Sequence, residues 1–109
     1  MHPNLSPDIN ANLLRLELNG GINVDSLPVG SIVEVQTSNT LYRINKLSAT
    51  EQIIGHAKYC PTWRDCYIAG STWGGSMIVA RFIGNGMHLE FHVGGRRVTT
   101  SAIRSVKVL

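Results

Sequence analysis

The chain changes its apolar rhythm near residue 27. Before that point, Ser6-Pro7-Asp8 supplies a capping hydroxyl, a proline at the first helical position and an acid in the first turn. Ile9, Leu13 and Leu16 follow at helical spacing, and Asn19-Gly20-Gly21 supplies a stop. This spacing predicts an N-terminal helix, with a strand as the alternative because Leu14, Leu16 and Leu18 alternate with Arg15 and Glu17. After the turn at Leu27-Pro28-Val29-Gly30 the period falls to two. Strands are predicted over 31–37 and 40–46, joined by Ser38-Asn39, and over 52–58. Pro61 breaks the pattern before a short strand at 66–69. Residues 76–83 are apolar on both faces and predict a central, two-sided strand. Gly84-Asn85-Gly86 closes a hairpin. In 87–93, Met87, Leu89, Phe91 and Val93 face the core, while His88, Glu90 and His92 face outward. Gly94-Gly95 turns the chain into 96–100, and Ser101–Arg104 predicts a helical turn before a last strand at 106–108.

Short strands joined by tight turns must close on themselves to bury their apolar faces and protect their edges. The expected fold is therefore mainly β, a small SH3-like antiparallel β-barrel with an N-terminal helix. One domain is expected, with residues 1–26 as the helical extension and 27–109 as the barrel. At 43% hydrophobic residues and 16% charged, the chain of 109 residues is too apolar for disorder. The shortage of charge points to a surface covered by another chain. No apolar run approaches the ~18 residues that cross a membrane, and the N-terminus lacks a secretory pattern. A cytoplasmic protein with no membrane partner is expected.

The segment GSTWGGSM (residues 70–77) sets Trp73 among glycines and hydroxyls. Together with GNGMHLEF (84–91) and TTSAIRSVKV (99–108), it resembles small bacterial β-barrel proteins that carry a Gly-Ser-Thr-aromatic-Gly-Gly-Ser segment. The resemblance covers roughly residues 27–108, implies no activity and assigns no functional residue. Chemically, Gly70 and Gly75 have the glycine spacing of a phosphate loop, but Ser76-Met77 stands where the lysine should be. A nucleophile elbow fails as well, because no second glycine follows Ser76 and no base is in view for it. Two readings remain. Trp73 folds inward as an apolar plug, the commoner fate of a large aromatic. Alternatively, Gly74 and Gly75 offer free amides to an anion, with Trp73 as a stacking platform. The ligand- or partner-binding candidates are Tyr67, Trp73, Gly74, Gly75 and Ser76; no residue is assigned as catalytic. Cys60 and Cys66 have neither redox nor zinc-knuckle spacing and read as thiols packed near a turn.

His88 and His92 sit four residues apart on a strand, about 13 Å, too far to share one ion. No metal and no cofactor are expected, and the pattern reads as a solvated face with a His–Glu pair. The net charge of +3 is mild, with seven acids diluting ten bases. If closure gathered Arg43, Lys46, Arg96, Arg97 and Arg104, they would form a basic face for nucleic acid. With no convergent catalytic set, the expected function is a non-enzymatic binding module for another protein or a second copy of itself. A nucleic-acid-binding face and a small-molecule pocket near Trp73, Tyr67 and His56 are the alternatives.

Overall fold

Period-two alternation builds nine strands among the described residues, which in this computed structural model are 21–55, 61–74 and 77–109. They are β1 (Gly21–Asn23), β2 (Ile32–Thr37), β3 (Leu41–Lys46), β4 (Glu51–Gly55), β5 (Arg64–Thr72), β6 (Val79–Ala80), β7 (Phe82–Gly84), β8 (His88–Val93) and β9 (Arg96–Val108). The expected N-terminal helix lies outside the described residues. Immediately after it, Gly21–Asn23 is a strand rather than part of a helical extension, followed by a single 3-10 turn at Val24–Ser26. The molecule is mainly β, and no helix among the described residues is long and apolar enough to cross a membrane.

Six strands close a ring in the order β2, β3, β4, β5, β8 and β9, every neighbouring pair antiparallel, with β9 returning to β2. Inside it, Val33 and Val35 from β2 meet Ile44, Ile53, Ile68, Leu89, Phe91 and Ile103, all fully buried. Each such side chain contributes about 1.5–3 kcal/mol relative to exposure. Tyr42 meets Phe91 edge to face, with ring centres 5.7 Å apart.

Two expected elements take another form. The helical turn at Ser101–Arg104 is replaced by one strand of 13 residues. The first part of β9 pairs with β8 and the later part with β2, so a helical turn would sacrifice ladder bonds on both neighbours. The two-sided strand over 76–83 is broken at Arg81, whose φ is 59°. There β6, which pairs with the far end of β5, gives way to β7, which pairs with β1. The Arg81 backbone joins both sides: its N–H donates to Ala69 O at 2.9 Å and its carbonyl accepts from Val24 N–H at 2.8 Å. The side chains of Met77, Ile78 and Val79 are exposed where the chain enters β6, the end strand of the sheet order.

The break at Arg81 also repairs the ring wall. β4 pairs with β5 only from Glu51–Ile53 to Arg64–Cys66. Just beyond, the Ile68 N–H donates to Glu51 Oε1 at 3.0 Å, and Ile68 O accepts from Arg81 Nη1 at 2.8 Å. The Arg81 guanidinium then grips both Glu51 oxygens, at 2.9 and 2.6 Å, and its Nε reaches Asp25 at 3.0 Å. This grip, above all the hydrogen bonding to Glu51, raises the Arg81 pKa further despite the opposing effect of burial, so the group stays charged. Removing one member of such a pair strands the other charge. Glu51→Gln and Arg81→Met should each cost about 3–5 kcal/mol in urea denaturation, and the double variant should cost less than the sum of the two. Strict additivity would show that the pair does not act as a unit.

Candidate functional site

The outer faces of β5, β8 and β9 lie side by side, and cross-strand register stacks their polar residues in rows. Thr72 pairs with His88 and His88 with Ala102; Gly70 pairs with Glu90 and Glu90 with Thr99; Tyr67 pairs with His92 and His92 with Arg97. Over the first two rows opens a cleft of about 470 Å³, lined by Thr72, Ile78, His88, Glu90, Arg97 and Thr99. A cleft of this size is in the range that holds small ligands or a single side chain.

Alternation places Glu90 on the outward face, yet it is only 7% exposed. It stands on the middle of three strands, opposite a glycine on one side, with the chain around Ile78 forming a wall of the cleft above it. Its Oε1 accepts from Thr99 Oγ1 at a long 3.4 Å. The ion pairs among the described residues use Glu34, Asp25 and Glu51 as acids and leave Glu90 without a cation. His88 Nδ1 lies 2.9 Å from Thr100 O. A carbonyl only accepts, so Nδ1 carries the hydrogen and the neutral ring keeps an acceptor lone pair on Nε2. Among the described residues no three His, Cys, Asp or Glu side chains gather as metal ligands.

The GSTWGGSM segment divides between strand and surface. Gly70, Ser71 and Thr72 belong to β5, and Gly70, at φ 142°, passes so close to β6 that a Cβ would strike the Val79 carbonyl. Trp73 is not the inward plug expected of it: it is 72% exposed and rests on the turn at Gly86, where a Cβ would lie 3.2 Å from the indole. The inward place beside it is taken by Ser71, which donates to Phe82 O at 2.6 Å and lies 3.4 Å from Met87 Sδ. Nor is the Gly74 amide free for an anion, since it donates to Thr72 Oγ1 at 3.0 Å while that hydroxyl donates back to Gly74 O at 3.1 Å. Gly75, Ser76, His56 and Cys60 lie outside the described residues; Cys66 is buried in the core. Tyr67 is 44% exposed, and the Arg81 guanidinium covers one face of its ring at 4.8 Å.

Closure does not gather the five expected basic residues. Arg43 pairs across strands with Glu34 at 3.1 Å. Lys46 is buried, its Nζ donating to Val24 O at 3.0 Å. Arg104, near the far end of β9, donates to Ser38 Oγ at 3.1 Å. Arg96 and Arg97 alone stay together, at the start of β9, and there they join Arg64 and the exposed Trp63 around the turn at Gly94-Gly95. Glu51, Arg81 and Arg64 escape a reading of the sequence because single charges beside strands look like ordinary solvated residues. Comparisons with protein-family models, curated proteins and solved structures yield no match.

An exposed indole is open to quenchers. In a Trp63→Phe background, Trp73 should emit near the wavelength of free indole in water and be quenched efficiently by acrylamide. Blue-shifted, protected emission would contradict the exposed position.

Proposed function

We propose that this chain is a non-enzymatic interaction module that binds another protein, in the first place a second copy of itself. The reading is carried by one observation: Trp73, Met77, Ile78 and Val79 form a run of exposed large apolar side chains, with Met77 at 81%. Isolated exposed apolar residues are ordinary, whereas a cluster this dense marks an interaction surface. The run ends with Val79 on β6, the terminal strand of the sheet order, which is a natural place for another chain to add. The closed antiparallel ring supports a small barrel of SH3-like size as the scaffold that presents this surface. Sedimentation should reveal concentration-dependent association that Trp73→Ser combined with Met77→Ser weakens by at least about tenfold, as expected for the loss of two apolar anchors. A strict monomer at high concentration would sink the reading.

A second reading, nucleic-acid binding, is favoured by the basic and aromatic end of the ring rather than by the basic face expected from sequence. Trp63 and Tyr67 offer exposed rings beside Arg64, Arg96 and Arg97, with Asp65 as the acid among them. Aromatic faces interleaved with cations suit unstacked bases and their phosphates. Labelled oligothymidine should bind at low salt, lose affinity as salt rises, and bind more weakly to Arg96→Ala/Arg97→Ala. Unchanged anisotropy at low salt would remove this reading.

A further inference from the structure

The geometry points to the cleft over β5, β8 and β9 as a seat for the ammonium end of a lysine side chain presented by the partner, an assignment that rests on the protein-contact reading above. Glu90 is a carboxylate more than nine-tenths buried, with one long hydrogen bond and no ion-pair cation among the described residues. Such a charge has lost much of its hydration without gaining a counter-ion, so a bound cation relieves it. The remaining valences match. Thr99 spends its hydrogen on Glu90, Thr72 spends its own on Gly74 O, and His88 spends its Nδ1 hydrogen on Thr100 O. These groups still offer lone pairs, at Glu90, at His88 Nε2 and at the Thr99 hydroxyl. An ammonium brings three hydrogens and no acceptor, the complement of that set.

The walls select the stem as well. Ile78 lines the cleft and gives an apolar side for the four methylenes of lysine, while the charged end reaches the floor. Ile78 also belongs to the exposed apolar run, so a partner docked there would hold its lysine beside the opening. Arg97 lines the same cleft as an opposing positive charge, yet it forms no ion pair with Glu90. It therefore limits the affinity rather than providing it.

Titration of the protein with Nα-acetyl-lysine methylamide, followed by amide shifts of Thr72, His88, Glu90 and Thr99, reads the site directly. Saturating shifts are expected with lysine and not with the norleucine counterpart, which shares the stem and lacks the charge. Glu90→Gln should weaken binding at least about tenfold, as for the loss of a charged hydrogen bond. Arg97→Gln should strengthen it several-fold. Equal shifts from norleucine, no shifts from lysine, or an unchanged affinity in a folded Glu90→Gln variant would each overturn the assignment. The norleucine comparison needs no substitution, so it stands even if that variant fails to fold. The Trp73→Ser/Met77→Ser variant should keep the lysine response, which separates failure of the seat from failure of the association surface.

Discussion

The ring holds together at its weakest seam through one ion pair. A β-ladder needs both neighbours in place, and β4 leaves β5 after three residue pairs. Beyond that point side chains substitute for the missing ladder: Glu51 accepts from the Ile68 amide, Arg81 donates to the Ile68 carbonyl, and the two hold each other. The substitution is demanding. Arg81 adopts a left-handed backbone that costs a non-glycine residue of order 1–3 kcal/mol, and its charge is taken largely out of water. Hydrophobic packing elsewhere offsets that cost, and in return the same residue aims β7 towards β1 and orients the ring of Tyr67. Interior, satellite sheet and exposed face thus meet at one guanidinium.

Where the chain alternates cleanly, its structure is legible in the residues alone. β2, β3 and β8 fall where period two predicts, because each has one buried face and one face turned outward. The apolar run over 76–83 misleads for a physical reason: periodicity records apolar character, not whether another element covers it. The stretch reads as one core strand, but its apolar residues before Arg81 are exposed and only beyond it does Ile83 enter the core. The helical signal at Ser101–Arg104 is overruled by tertiary pairing, since both edges of β9 are claimed.

The site is legible in part. Tyr67 and Trp73 stand out in the sequence and do stand at the surface, while Gly74, a candidate for its amide, proves to be satisfied within its own turn. Alternation puts His88 and Glu90 on the correct face. Nothing in it could show that Glu90 is buried, because burial of an outward residue depends on its cross-strand neighbours and on the cleft wall at Ile78, which alternation does not record. Basic residues are the hardest to gather from sequence. Their spacing along the chain says little once an extended strand holds Arg97 and Arg104 about 23 Å apart.

The double engagement of β9 also governs the order of assembly. Its contacts with the hairpin formed by β2 and β3 join residues 64 positions apart, as between Ser38 and Ala102. Until the last strand emerges from the ribosome, both β2 and β8 present open edges and an apolar interior faces water. Non-local closure of this kind is entropically costly to nucleate and slow. Ring closure therefore waits on β9, since the edges of β2 and β8 that it covers are paired only once that strand is in place.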